Sequence, residues 1–301
     1  MIKKIFICGT GAMASLFAAQ LAQTGLEIVM FGTWAAAIEK INLSGLQVVY
    51  PGDSKKVTGV RAVTDASESS DADLVLMMVK SWQTEKYARE LFGYLPPETP
   101  LLTLQNGLGN KEILGKYFGL EQVIQGVSTV GAAMLAPGEV RLGGYGLTTI
   151  EDHASSMEIG IVLGKSGLQM NIAQDPGSLI WGKMVISSAV NPLTALLGVA
   201  NGELLNRPAA MDLARELVLE TSAVASAQGI NLPYTDPLAE VENVLNKTAV
   251  NISSMLQDVR RGSRTEIDSI TGQIVILGEK SGINIPVNKA MLKLVRAITN
   301  S

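Results

Sequence analysis

A lysine set in an apolar helical stretch is the residue of this chain best placed to do chemistry. It lies in Leu179-Ile180-Trp181-Gly182-Lys183-Met184-Val185-Ile186-Ser187-Ser188-Ala189-Val190-Asn191. A helix apolar on most faces should be buried. Burying an unpaired ammonium is costly, so a lysine there needs a carboxylate, a ligand or a lowered pKa. A Lys–Glu pair joining two helices would explain Lys183. It would not explain Ser187 and Asn191, which continue the polar stripe at i+4 and i+8. Glu266, in Arg264-Thr265-Glu266-Ile267-Asp268, is a candidate carboxylate, although by its own letters it reads as a solvated acid of a first helical turn.

A second chemistry-bearing motif opens the chain. Cys8-Gly9-Thr10-Gly11-Ala12-Met13-Ala14 is G-x-G-x-x-A, directly after an apolar strand and opening a helix. The first glycine permits the tight turn, the second lets backbone approach a pyrophosphate, and the small third residue lets helix and strand pack closely. The helix N-terminus offers unpaired N–H groups and positive partial charge to an anion. That context makes the turn a dinucleotide site. The usual Asp or Glu for a ribose 2′-hydroxyl is absent after the second strand, where the chain reads Phe31-Gly32-Thr33-Trp34. A threonine hydroxyl suits either NAD or NADP. Lys80, in Lys80-Ser81-Trp82-Gln83, and Asn106, in Gln105-Asn106-Gly107, each follow an apolar strand, at the sheet edge where open parallel sheets bind ligands. Read singly, each is as well explained by a solvated or turn residue.

The elements that must position these residues fall into two regions. The first half alternates strands with amphipathic segments: strands over Ile2–Cys8, Glu27–Phe31, Leu74–Val79 and Leu101–Leu104, and helices over Ala12–Gln23, Trp34–Leu43, Thr84–Phe92 and Asn110–Phe118. Short strands Leu46–Val49 and Val57–Ala62 flank Pro51-Gly52, and Val123–Met134 with Glu139–Leu142 suggest a late hairpin. This alternation predicts an α/β fold with a Rossmann-type, doubly wound parallel sheet. Near Asp175-Pro176-Gly177 the strand signals fade, and six helical segments follow, beginning with Leu179–Ala189. The expected organisation is a dinucleotide-binding domain over 1–174 and an all-helical substrate domain over 175–301.

Composition narrows the chemistry further. With one histidine and one cysteine, Cys8, the chain has no partner for an internal disulfide and no His- or Cys-rich zinc site. His153, in Glu151-Asp152-His153, reads as an exposed loop or helix-start residue with a structural or neutral role. A formal charge of -4 argues against nucleic-acid binding. The glycines at positions 9 and 11 break the apolar run that a signal peptide needs. No uninterrupted apolar stretch of ~18 residues predicts a membrane span, and the expected compartment is the reducing cytoplasm.

Taken together, these segments resemble the ketopantoate reductase (2-dehydropantoate 2-reductase) family. The resemblance rests on Gly9-Thr10-Gly11-Ala12, Lys80-Ser81-Trp82-Gln83, Gln105-Asn106-Gly107, Trp181-Gly182-Lys183 with Asn191-Pro192-Leu193-Thr194-Ala195-Leu196, and Ser253-Ser254-Met255-Leu256-Gln257-Asp258 with Thr265-Glu266-Ile267-Asp268. It implies NADPH-dependent reduction of a branched 2-oxo acid, ketopantoate, to (R)-pantoate for pantothenate and coenzyme A, in an interdomain cleft. It implies that Lys183 is the general acid, that Asn106 orients it and touches substrate, and that Glu266 assists the lysine and the cofactor end. Ser187, Asn191 and Ser254 would meet substrate, and Gly9, Thr10, Gly11, Ala12, Met13, Thr33, Lys80 and Gln83 the cofactor, with Asn106 and Glu266 near it. Two positions depart from the family pattern: Ser187 stands where an asparagine is usual, and Thr33 where an arginine often meets the 2′-phosphate. These departures keep open a D-2-hydroxyacid (mandelate-type) dehydrogenase using NADH. A non-catalytic dinucleotide sensor would have no need of a proton donor. The partner expected is a small 2-oxo acid, with neither nucleic acid nor membrane, and the apolar helical region allows a homodimer.

Overall fold

The computed structural model describes residues 1–299. Its sheet is built on β1 (Lys4–Cys8), every residue of which is buried. Side chains alternate across such a strand, and here both faces are covered. Ile5 and Ile7 join a core with Leu16 and Phe17 of α1 (Ala12–Ala22). Phe6 and Cys8 join a second core with Tyr87 and Leu91 of α3 (Thr84–Leu91) and Leu114 of α4 (Asn110–Phe118). Strands buried on both faces read as continuous apolar runs, which is why β1, β2 (Glu27–Phe31), β6 (Leu74–Met77) and β7 (Leu101–Thr103) are legible as sequence.

Among the described residues the main sheet runs β12-β11-β8-β7-β6-β1-β2-β5. β5 (Val60–Val63), β2, β1, β6, β7 and β8 (Val123–Ser128) pair in parallel, in that order. β11 (Leu147–Glu151) pairs antiparallel to β8, and β12 (Gln169–Ala173) lies parallel to β11. The doubly wound α/β class is therefore the fold.

Three local expectations are corrected. Val123–Met134 is not one strand: it breaks after Ser128, and β9 (Gly131–Ala136) leaves for a second sheet. There β9 pairs with β10 (Glu139–Gly144) as a hairpin, and β10 lies parallel to β3 (Leu46–Tyr50). Val57–Ala62 is also two elements. β4 (Asp53–Val57) turns back on β3, whereas β5 edges the main sheet. Gly45 enforces the entry to β3, since its φ is +76° and a Cβ would stand 2.2 Å from the Val57 carbonyl oxygen. Between β11 and β12 lies α5 (Ser156–Lys165), which the sequence pattern did not isolate. α2 (Ala35–Ser44) follows β2 and buries Ala37 and Ile41 against the α1 side of the sheet.

Contacts divide the chain into two units. One comprises Met1–Gln105 and Asn110–Pro176; the other comprises Asn106–Gly109 and the chain from Gly177 onward. The helical unit is organised around α6 (Gly177–Leu197), which extends well beyond Ala189 and carries Pro192 inside it. Val185, Ala189 and Leu193 pack with α7 (Pro208–Ala227) and α8 (Pro237–Lys247). Trp181 and Met184 pack with Ile274 of α10 (Thr271–Lys280), and Ala195 with Met255 of α9 (Ser254–Arg260) and Val295 of α11 (Pro286–Thr299). Among the described residues α6 is the one helix long and apolar enough to cross a membrane, and 67% of that apolar stretch is buried.

The start of α11 is held from α7. Glu220 accepts hydrogen bonds from the Val287 and Asn288 backbone N–H groups and from Asn288 Nδ2, at 2.9, 2.9 and 2.8 Å. A carboxylate at a helix N-terminus satisfies amides that have no partner within the helix. Glu220→Ala is expected to cost about 1–3 kcal/mol of stability, read as a lower melting temperature. Glu220→Gln should recover part of it. An unchanged melting temperature in the alanine variant would show that this contact does not hold α11.

Candidate functional site

Lys183, Ser187 and Asn191 fall where the α6 periodicity puts them, on one half-buried stripe between faces packed into the helical cores. Gly182 is required beside the lysine. A Cβ there would stand 2.7 Å from Pro233 Cγ, and the Tyr234 hydroxyl donates to the Gly182 carbonyl at 2.8 Å. Burial raises the Tyr234 phenol pKa, so it remains a hydrogen-bond donor. Pro233 and Tyr234 thus fix the turn of α6 that carries Lys183, a contact with no signal in the sequence.

Glu266 is 7% exposed, which removes the reading of it as a solvated first-turn acid. It lies in the turn before α10, whose first helical residue is Thr271 rather than Ile267. Desolvation lowers the Lys183 pKa to about 8, and the Glu266 carboxylate pulls in the opposite direction. Asn106 Nδ2 donates to Glu266 Oε2 at 3.3 Å. The structure therefore brings Lys183, Glu266 and Asn106 into one electrostatic group.

The segment carrying Asn106 is docked onto the Glu266 turn by two contacts. Leu108 N–H donates to the Ser269 carbonyl at 3.0 Å, and the Leu108 side chain packs with the Trp181–Ile274 core. Gly107 has φ +88°, and a Cβ would lie 2.4 Å from the same Ser269 carbonyl oxygen. Ser269 Oγ in turn donates to the Glu266 carbonyl at 3.0 Å. The close approach needs Gly107, which accounts for the Asn-Gly pair more fully than ordinary turn chemistry. Ser254, the first residue of α9, is exposed.

In the other unit, Gly9, Thr10, Gly11, Ala12 and Met13 form the β1–α1 turn. Thr33 follows β2, and Lys80 and Gln83 follow β6. β6, β1 and β2 are adjacent and parallel, so these residues share one carboxyl edge. Gly9 has φ +121°, and a Cβ would press on Met78 backbone at 3.1 Å. Gly11 precedes α1 without a side-chain cap, and no described atom lies within 4 Å of where its Cβ would be. Ala14 is fully buried against the sheet core. An open, uncapped helix start over a tight glycine turn fits a dinucleotide pyrophosphate. Thr33 is exposed and hydrogen bonds toward Tyr87, whose phenol burial pushes up to about 12. His153 precedes α5, with Nε2 2.8 Å from the Glu121 carbonyl and Nδ1 accepting from Ser155 N–H at 3.1 Å. Both ring nitrogens are thus engaged with backbone.

Comparison with known proteins gives this architecture its class. The "Ketopantoate reductase PanE/ApbA" family model matches residues 5–155 and its C-terminal counterpart matches 177–299. A 2-dehydropantoate 2-reductase of Halobacterium salinarum is 33% identical over 97% of this chain and 98% of its own length. One of Archaeoglobus fulgidus is 33% identical over 99% and 98%. Among solved structures, a PanE/ApbA family ketopantoate reductase from Ralstonia eutropha JMP134 superposes with a TM-score of 0.92 at 30% identity, covering 99% of this chain and 98% of the other. A D-mandelate dehydrogenase solved with NADH and anilino(oxo)acetate gives 0.93 at 28% identity, over 99% and 98%. The protein is an NAD(P)-dependent oxidoreductase acting on a small molecule. The chain belongs to the ketopantoate reductase family.

The docking of Gly107 yields a test. In Gly107→Ala the side chain meets backbone rather than a flexible tip, and positive φ costs a further ~1–2 kcal/mol. The loop must lift, and Asn106 loses Glu266. Turnover is expected to fall by about tenfold or more, whereas Gly109→Ala, with nothing nearer than 4.0 Å to its Cβ, pays only the φ cost. Equal activities in the two variants would show that the docking is not needed.

Proposed function

We propose that this enzyme reduces 2-dehydropantoate (ketopantoate) to (R)-pantoate with NADPH, and that Lys183 is its general acid. The observation that carries the reading is the half-buried Lys183, its pKa lowered to about 8, beside Glu266 and heading the Ser187–Asn191 stripe. The curated relatives above carry that activity in their names.

The residues of the first unit that would hold the dinucleotide are Gly9 to Met13 for the pyrophosphate, and Thr33, Lys80 and Gln83 for the adenosine end and neighbouring groups. When bound, the dinucleotide supplies a hydride. Addition to the C2 carbonyl builds negative charge on its oxygen. The Lys183 ammonium hydrogen bonds that oxygen, stabilises the charge and gives up a proton from Nζ. A pKa of about 8 leaves the ammonium populated at neutral pH while easing loss of its proton. Glu266 keeps the lysine from discharging too early and holds Asn106, which orients the lysine and touches substrate. Asn191 and Ser254 bind the substrate hydroxyl and carboxylate.

A second reading is a D-mandelate-type dehydrogenase preferring NADH. Two observations favour it: Ser187 is shorter than the usual asparagine, and Thr33 is exposed with no cationic group of its own. A panel of 2-oxo acids with and without a terminal hydroxyl, assayed with both cofactors, separates the readings. The first expects the highest kcat/KM for ketopantoate with NADPH. A preference for phenylglyoxylate with NADH would replace it with the second.

The lysine assignment has its own test. Lys183→Ala is expected to lower kcat by about 10²–10⁴-fold, with the fold intact by circular dichroism. The acid must be protonated, and the protonated form is lost as pH rises through the lysine pKa. The reduction rate should therefore be level below about pH 8 and fall above it, while alcohol oxidation, which needs the neutral amine, should rise through the same region. Normal turnover in Lys183→Ala would remove the lysine from the chemistry.

A further inference from the structure

We propose that Thr194 and Ser253 are positioning residues that set the spacing between Asn191 and Ser254. The inference rests on the reading above, in which those two neighbours hold the substrate. Thr194 is fully buried in the last turns of α6, and Ser253 is 6% exposed at the residue before α9. Their hydroxyl oxygens are 2.7 Å apart. Thr194 Oγ1 also lies 2.8 Å from the Val190 carbonyl and 3.1 Å from the Asn191 carbonyl, while Leu256 N–H donates to Ser253 Oγ at 3.2 Å.

Proton count fixes the direction of this chain. Carbonyls carry no hydrogen, so the Thr194 hydroxyl must donate to Val190 and Asn191. The Ser253 hydroxyl must then donate to Thr194, while accepting from Leu256. The result is a directed path from the α9 backbone, through two side chains, to the carbonyls at Val190 and Asn191. Its ends adjoin Asn191 on one side and Ser254 on the other.

The location argues for positioning rather than cohesion alone. Pro192 has no N–H, so the α6 ladder lacks its bond to the Ser188 carbonyl next to Asn191. The turn presenting Asn191 therefore has one backbone hydrogen bond fewer than an uninterrupted helix. α9 spans seven residues, and apolar contacts such as Met255 with Ala195 tolerate sliding, being non-directional. Two buried hydroxyls at 2.7 Å do not. A shift of one residue along α6 would break the pair, leaving the Ser253 hydroxyl proton buried without its acceptor while the local bonds of each hydroxyl persist. The pair thus fixes the register of Ser254 against Asn191, and with it the distance between the groups that hold the substrate.

The test is a KM-against-kcat split with the 2-oxo acid turned over fastest in the panel. Thr194→Val keeps shape and removes the hydroxyl. It is expected to raise KM for the 2-oxo acid by about tenfold, to leave the dinucleotide KM unchanged, and to lower kcat far less than Lys183→Ala does. Thr194→Ser should restore KM. Adding Thr194→Val to Ser254→Ala should raise KM little beyond Ser254→Ala alone, because the two act through one contact. Ser253→Ala serves as the second variant should Thr194→Val fail to fold, with the same expected split. A lower melting temperature with unchanged KM would make the pair purely structural and overturn the inference. Fully multiplicative effects in the double variant would overturn it as well. If Asn191→Ala and Ser254→Ala themselves leave KM unchanged, the substrate-binding reading fails first, and the positioning role falls with it.

Discussion

The structure of the helical unit depends on one unfavourable placement, a lysine ammonium half-buried on its central helix. Desolvation lowers the Lys183 pKa, and the Glu266 carboxylate raises it. The two act in opposition, and the lysine is left near pKa 8. That balance needs a low-dielectric wall and a fixed counter-charge. α6 supplies the wall by packing its other faces into the apolar cores of its unit. The Glu266 turn supplies the charge, and Asn106 shares it.

The same logic explains why four residues following a strand of the α/β unit belong with the helices. Asn106–Gly109 follows β7, whose neighbour Gln105 is tied within its own unit to the Val79 carbonyl at 2.9 Å and to Thr84 Oγ1 at 2.8 Å. One residue later the chain serves the helical unit. An amide side chain brought to Glu266 by backbone docking is held more tightly than one on a mobile loop tip. Gly107 is the residue that lets the backbones approach.

Much of this was legible in sequence, for an identifiable reason. β1, β2, β6 and β7 are buried on both faces and so appear as apolar runs, and the glycine turn has a fixed local geometry. Gly229, Gly262 and Gly282 follow their helices with positive φ, a conformation that favours glycine at a helix end. Asp236 caps α8 by accepting from Leu238 and Ala239 N–H. The Lys183 stripe was legible because helical period is local. What was not legible is non-local. Nothing in Val123–Met134 tells β8 from β9, because the break is set by which sheet each joins. Glu266 has the letters of a surface acid, and only its burial among other elements says otherwise. The clamp of Pro233 and Tyr234 on Gly182 and the Thr194–Ser253 pair likewise join residues remote in sequence.

The two departures from the family pattern sit where the fold can most easily accommodate change. Ser187 lies on the half-buried stripe of α6, between residues that fill the cores on either side, and is itself part of neither core. Thr33 is exposed after β2, beyond the last sheet residue, Phe31, which is buried and packs edge-on to Tyr87 with ring centroids 5.1 Å apart. Replacing either side chain removes no core volume, so the stability cost of variation is small. By contrast Gly9, Gly107 and Gly182 are locked by backbone or ring atoms a few ångströms away, and Lys183 by the charge it must share. In the proposed reading, a scaffold built this way fixes Lys183 and the glycine turn after β1 while leaving Ser187 and Thr33 open to change. That division of constraint is compatible with one backbone being shared, at TM-scores of 0.92 and 0.93 to this one, by a ketopantoate reductase family protein and a D-mandelate dehydrogenase.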